Sequence, residues 1–88
     1  MRDCNLFMAE LQNADLQNAD LRGVDLKGAD LQDANLQGAK LQGAKLQGAE
    51  FFGTNLKGAD LSDAVGLTQD QLEDAEIDDT TQLPQDLS

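Results

Sequence analysis

The chain has 88 residues, enough for one small domain, and its formal net charge at pH 7 is −11. It contains no His, Trp or Tyr and a single Cys, so an internal disulfide is excluded and few residues could support catalysis. Because its longest apolar stretch runs only from Leu6 to Ala9, we expect no membrane span, no signal-peptide core and a cytoplasmic location.

A large apolar residue recurs every five residues. A five-residue step moves a side chain roughly 140° around a helix, and an odd step alternates between the faces of a strand, so neither element buries the series on one side. A chain that turns a corner every five residues does bury it. A disordered polar segment is the alternative, but such segments rarely keep leucine in strict register. The twelve centres are Leu6, Leu11, Leu16, Leu21, Leu26, Leu31, Leu36, Leu41, Leu46, Phe51, Leu56 and Leu61.

Two flanking positions of each repeat have preferences of their own. The residue two before each centre is small, and its matching strand parity lets it face inward with the centre. The residue two after the centre is Gly, Asn or Asp in every repeat except the first, which has Met8. These residue types tolerate positive φ at least cost, which indicates a corner once per repeat.

Runs such as Ala-Asp-Leu-Gln-Asn at 14–18 and Ala-Asn-Leu-Gln-Gly at 34–38 resemble the pentapeptide repeat family, whose consensus is A(D/N)LXX. The resemblance covers residues 4–65. It implies an all-β solenoid, a right-handed quadrilateral β-helix with four pentapeptides per coil and therefore about three coils. We assign residues 1–65 to this β-helix and residues 66–88 to a helical cap with an acidic tail.

The C-terminal region carries the signals of a short capping helix. Thr68 is the expected N-cap, Gln71 completes a capping box, and Leu67 can pack against Leu72 as a hydrophobic staple. We expect the helix to end near Ile77. The residues expected to cover the last coil or to pack against the cap are Leu72, Ala75, Ile77, Leu83 and Leu87.

The N-terminal end shows no comparable cap. The first repeat begins at Cys4, whose inward position indicates a packing role, and only three residues precede it. An open coil end exposes apolar surface and an unpaired strand edge, and Phe7 and Met8 add apolar groups nearby. We therefore predict that two chains, or this chain and another protein, meet at this end. The alternatives are that three residues and solvent suffice, or that upstream residues are absent here.

Most of the net negative charge lies outside the repeats. Residues 4–65 contain nine acids and five bases, whereas residues 66–88 contain seven acids and no base. This balance disfavours direct binding to nucleic acid or to an anionic membrane.

We predict that the protein is not an enzyme and binds no cofactor or metal. Carboxylates on a solvated surface keep ordinary pKa values, and an interior filled with Leu and Ala leaves no pocket for a substrate. Asp74, Glu76, Asp78 and Asp79 could suggest a Ca²⁺ site, but the Gly and bidentate Glu of a calcium loop are missing, so they indicate a solvated tail.

The sequence favours a structural or protein-interaction module whose partner and process are unknown. Phe52 is the one large apolar residue in an outward column beside Gln12 and Gln32, which makes it a candidate contact residue; partial burial against a neighbouring side is the alternative. The family resemblance implies a second function, a DNA-mimicking inhibitor or protector of an enzyme such as DNA gyrase. The residues that would serve it form the acidic ladder Glu10, Asp30 and Glu50.

Overall fold

The backbone returns to the same place every twenty residues. A computed structural model describes residues 5–84, and within them single residues twenty apart form parallel backbone bridges. Residues 5–64 thus make three stacked coils of four pentapeptides, paired at one residue per side. The bridges with this spacing are Asn5–Asp25, Glu10–Asp30, Asp15–Asn35, Asp20–Lys40, Asp25–Lys45, Asp30–Glu50, Asn35–Asn55, Lys40–Asp60 and Lys45–Val65.

The centres and the small residues before them form the core. Every centre from Leu21 to Leu61 is buried, and so is every small residue from Val24 to Ala59. Thr54 is the polar member of the small-residue column, and its hydroxyl donates to the Leu31 carbonyl at 2.5 Å. That bond satisfies an oxygen which would otherwise be buried without a partner.

The corners have the backbone conformation that the composition indicates. Eleven of the twelve residues that lie two after a centre have positive φ, including Met8 at 61° and Asn18 at 58°. Asp63 is the exception, and it lies where the chain leaves the regular repeat. A corner side chain that is not Gly can lean over the next coil, as Asn18 does over Gly38, so the glycine twenty residues later leaves space for it.

A short helix, α1, spans Gln69–Asp74 and begins at the predicted N-cap, Thr68. The Gln71 N–H donates to the Thr68 hydroxyl at 3.2 Å, and the Thr68 N–H donates to Gln71 Oε1 at 2.8 Å. The Gln71 side-chain amide also donates to the carbonyls of Leu46 and Ala49, both at 2.8 Å. One glutamine therefore caps the helix and attaches it to the third coil.

The helix is part of an irregular fourth turn. Val65 still bridges Lys45, but Glu76 bridges Asn55 and Gln82 bridges Asp60, so the spacing grows as the chain proceeds. Because α1 lies between Val65 and Glu76, it takes the place of one pentapeptide. The Gly53 N–H donates to the Asp74 carbonyl at 2.9 Å, which joins the end of the helix to the third coil.

The predicted end of the helix near Ile77 is wrong. The helix ends at Asp74 because the Glu76 N–H donates to the Thr54 carbonyl, which returns the backbone to coil pairing. Ile77 lies beyond the helix, is 39% exposed and is not among the residues packed against the core, so it does not cover the last coil. Leu72 is buried and Leu83 is half-buried, as expected. Cys4 and Leu87 lie outside the described residues.

We predict that two corner glycines differ in their tolerance of alanine. Gly43→Ala should lower the free energy of unfolding by about 1–2 kcal/mol because a Cβ is strained at a φ of 74°, while its nearest neighbours lie at ordinary contact distance. Gly38→Ala should cost about 1 kcal/mol more, because its Cβ would collide with Asn18 Oδ1 and displace that side chain. Urea unfolding followed by far-ultraviolet circular dichroism measures both. An Asn18→Gly background should remove the difference, and equal losses in the parent chain would contradict it.

We also predict that Gln71→Glu destabilises the protein by about 2–4 kcal/mol, since it removes the donor to two carbonyls and places a charge against them. Gln37→Glu is the matched control, because it makes the same charge change at an exposed position and should stay within about 0.5 kcal/mol. Thermal and urea unfolding test the pair. Similar losses for the two variants would show that Gln71 does not attach the helix.

Candidate functional site

Most outward Asp and Asn side chains stabilise the backbone by accepting a hydrogen bond from a nearby N–H group. In eight repeats the side-chain oxygen of the residue before the centre accepts the backbone N–H two residues later, at 3.0–3.4 Å. Such a bond stabilises the turn at the corner, so it explains the recurring Asp or Asn without any ligand. The eight acceptors are Asn5, Asp15, Asp20, Asp25, Asp30, Asn35, Asn55 and Asp60.

In the predicted acidic ladder, Asp30 makes such a turn bond, whereas Glu10 and Glu50 do not. Asp30 accepts the Gln32 N–H at 3.1 Å and the Gln12 side-chain amide at 2.7 Å, so it is engaged within the coils. Glu10 and Glu50 make no such turn bond and are exposed, and the Gln32 amide reaches Glu50 only at 3.5 Å. Their carboxylates are therefore available to a partner.

The fourth turn extends this ladder into a larger charged surface. We call residues 9–13, 29–33, 49–53 and 69–74 the acidic side; α1 lies on this side because it links Val65, above Lys45, to Glu76, above Asn55. The acidic side contains no Lys or Arg. Its seven acids are Glu10, Asp30, Asp33, Glu50, Asp70, Glu73 and Asp74.

Phe52 belongs to the acidic side, where it is 66% exposed. The structure thus brings four of the predicted interaction residues, Glu10, Asp30, Glu50 and Phe52, onto one surface. Phe7 and Met8, 57% and 61% exposed, belong to the preceding side of the first coil. The sulfur of Met8 lies against Gly28, so this side chain leans toward the second coil rather than toward the coil end.

Sequence analysis missed the three acids that α1 adds. Asp70 lies twenty residues after Glu50, so continuing the count past Val65 would have found it. The spacing alone could not have placed Glu73 and Asp74, because a helix advances the chain differently from a coil.

The acidic cluster after α1 is organised by a turn. The Thr80 hydroxyl and N–H donate to Asp78 Oδ1 at 2.6 and 2.9 Å, and these bonds hold the pKa of Asp78 below its ordinary value. Among residues 5–84, no three His, Cys, Asp or Glu side chains are grouped so that they could hold a metal ion. No helix in the same range is long and apolar enough to cross a membrane.

The family can be assigned from the repeats. The family description "Pentapeptide repeats" matches residues 1–37, 9–48 and 29–65, in eight copies. The chain belongs to the pentapeptide repeat family. No curated protein matches this pentapeptide repeat chain significantly.

Solved structures of pentapeptide repeat proteins resemble it. QnrB1, a plasmid-mediated fluoroquinolone resistance protein, superposes with a TM-score of 0.79 over 92% of this chain and 38% of its own, at 20% identity, a likeness of fold alone. HetL from Nostoc sp. strain PCC 7120, involved in heterocyst differentiation regulation, has a TM-score of 0.50 and 29% identity over 96% of this chain and 42% of its own. Rfr23 from Cyanothece 51142 is 33% identical over 94% of this chain and 59% of its own, with a TM-score of 0.45. The chain therefore spans about two fifths of QnrB1 and of HetL.

Proposed function

We propose that this pentapeptide repeat protein is a non-enzymatic interaction module that binds a basic protein through the acidic side. The observation that carries the proposal is the stacking of α1 on the Glu10, Asp30 and Glu50 ladder, with Phe52 exposed beside it. We extend the family's right-handed quadrilateral β-helix to this chain as part of the same proposal. The cytoplasmic location stays a prediction.

The charge of the acidic side selects the chemistry of the partner. Seven carboxylates with no base among them produce a one-sign field, which attracts cationic surfaces and repels nucleic acid and anionic lipid. Arg22 and Lys57, by contrast, lie on other sides and pair with Asp20 and Glu76 at 2.7 and 4.0 Å. The acidic side thus has no Lys or Arg of its own to compensate its carboxylates.

Phe52 supplies an exposed apolar contact, which the carboxylates of the acidic side do not provide. Exposed carboxylates mainly raise the rate of association, whereas a desolvated aromatic anchor contributes most of the affinity at a typical interface. The partner should therefore present Lys or Arg residues around an apolar pocket. Phe52 replaces the glutamines at the equivalent places of the first two coils, Gln12 and Gln32, so the fold itself does not require an aromatic residue there.

We predict that Phe52→Asp removes binding of the partner while the protein stays folded, because it replaces the apolar anchor at an exposed position. Phe7→Asp is the matched control, since it makes the same substitution at a similarly exposed phenylalanine on another side. Immobilised parent and variant proteins, incubated with cell extract and compared by quantitative mass spectrometry, measure the effect. Bound proteins should be lost with Phe52→Asp, kept with Phe7→Asp and released by salt. Retention of the same set by Phe52→Asp would overturn the proposal.

A DNA-mimicking role toward DNA gyrase is the second candidate, supported by the uniformly acidic side. The described turns cover only part of a DNA turn, since four turns stacked about 4.8 Å apart are ~19 Å high, roughly half of the 34 Å repeat of DNA.

A gyrase supercoiling assay tests this candidate. If the protein mimics DNA, the parent chain should inhibit or protect the enzyme, and a Glu10→Lys/Glu50→Lys variant should lose the effect because two of the exposed carboxylates change sign. An Asp63→Lys/Asp79→Lys variant is the control, because it makes the same charge change at two exposed carboxylates outside the acidic side. No effect of the parent chain at any concentration, or equal loss in both variants, would exclude mimicry by the acidic side.

A further inference from the structure

Exposed apolar side chains are concentrated on the side of the solenoid that precedes the acidic side. We call this side, residues 5–8, 24–28, 44–48 and 64–68, the lysine side. Within residues 5–84, five large apolar side chains are exposed, and three of them lie here: Phe7, Met8 and Val65. Their exposure is lateral, since Phe52, which has a turn of the chain above and below it, is exposed to a similar extent.

The lysine side is also the side on which bases outnumber acids. In the three coils it carries Lys27 and Lys45 against one acid, Asp25, whereas acids equal or outnumber bases on each of the other sides. The Asp25 carboxylate accepts the Lys27 N–H at 3.1 Å and is thus engaged in its own turn. Neither lysine forms an ion pair within residues 5–84. The lysine side therefore presents ammonium groups beside apolar side chains, which is the chemistry that the acidic side requires of a partner.

We propose that the acidic side binds the lysine side of a second copy of this chain. This rests on the proposed function, because it assigns a partner to the same carboxylates and to the same Phe52. Seven carboxylates without a base meet two lysines that have no ion pair in the described part of their own chain. The apolar side chains of the lysine side cover Phe52, which is exposed in the single chain.

The direction of the chain decides which columns face each other. When two coils lie side by side with parallel axes, the chain runs in opposite directions along the two facing sides. The beginning of one side therefore meets the end of the other. Lys27 then faces the column of Glu10 and Glu50, and Lys45 faces the column of Phe52, where its ammonium group can lie over the ring.

Parallel axes also avoid a repulsive contact and lead to a closed assembly. Antiparallel axes would exchange the columns and bring the Asp25 carboxylate opposite the acidic ladder. The lysine side and the acidic side are neighbours on a coil of four sides, so each copy is rotated by a quarter turn relative to the previous one. Four copies thus close a ring through heterologous contacts, with the corner between the two sides at its axis. Met8 lies at that corner, so the ring covers its exposed side chain.

The dimensions of the molecule indicate that each contact is weak. The described molecule measures 27 × 22 × 21 Å, so one side offers on the order of 400 Å² per copy, less than in a standard stable interface. Each copy in a ring makes two contacts, so the assembly is cooperative and depends steeply on concentration. The net charge of −11 on each copy opposes association at low ionic strength, which favours measurement in about 150 mM NaCl.

Sedimentation equilibrium and NMR of two complementary variants test the proposal. The parent chain should assemble up to four copies at millimolar concentration. Phe52→Asp alters the acidic side and Phe7→Asp alters the lysine side, so each variant alone should stay monomeric. A mixture of the two should form a dimer and nothing larger, because only one intact side of each kind remains. With isotope-labelled Phe7→Asp the shifted amides should be those of the acidic side, and with labelled Phe52→Asp those of the lysine side.

A charge reversal provides the matched control. Lys27→Glu should weaken assembly by at least about tenfold, since it places a carboxylate opposite the acidic ladder. Lys40→Glu makes the same change at an exposed lysine on the side opposite the acidic side, where it also has no ion pair within residues 5–84, and should leave assembly unchanged. Circular dichroism confirms that both variants are folded. Equal losses for the two variants would overturn the proposal.

Three further outcomes would overturn it: a parent chain that is monomeric at millimolar concentration, assembly of either phenylalanine variant alone, or a mixture without amide shifts. The proposed function is judged separately by the proteins captured from cell extract. Loss of those proteins with Phe52→Asp, together with a monomeric parent chain, would keep the acidic side as an interaction surface and exclude a second copy as its partner.

Discussion

The corner that the backbone must turn every five residues is the constraint on which the rest of this protein depends. Positive φ at nearly every corner brings each centre to the inside and returns the chain above itself after twenty residues. Once the coils are stacked, one coil's N–H groups meet the next coil's carbonyls, so pairing and burial are satisfied together. A side chain added at one corner therefore meets the neighbouring coil, since a Cβ at Gly38 would collide with Asn18 Oδ1.

Many of the repeated polar residues stabilise the turns of the coils, which explains their presence without a binding partner. Asp and Asn before the centres stabilise the turns through bonds to backbone N–H groups, so the sign of their charge is incidental in those places. Glu10 and Glu50 depart from the pattern and make no bond to a turn N–H, and Phe52 is largely exposed where the first two coils have Gln. In a repeat protein such departures are the better candidates for contact residues, because the repeated residues already have a structural explanation.

The first and third coils differ in the partners that the described residues provide for them. At one end α1 and the fourth turn provide partners for the third coil, and Gln71 joins the helix cap to two coil carbonyls. The other end keeps half-buried leucines and unpaired edge groups within the described residues.

The five-residue spacing by itself determined the inward leucines, the small residues beside them and the corner column, and the capping box of Thr68 and Gln71 determined the start of α1. These features depend on residues close together in sequence, or on a strictly repeated distance, so they can be predicted without coordinates. Only the tertiary structure decided which side α1 occupies and where it ends. After Val65, bridged residues are no longer twenty apart in sequence: Asn55 bridges Glu76 and Asp60 bridges Gln82, so the separation increases along the fourth turn. No period in the sequence encodes that change. The acidic side was therefore only half visible: Glu10, Asp30 and Glu50 follow from the period, whereas Glu73 and Asp74 join them because the Glu76 N–H finds the Thr54 carbonyl and ends the helix there.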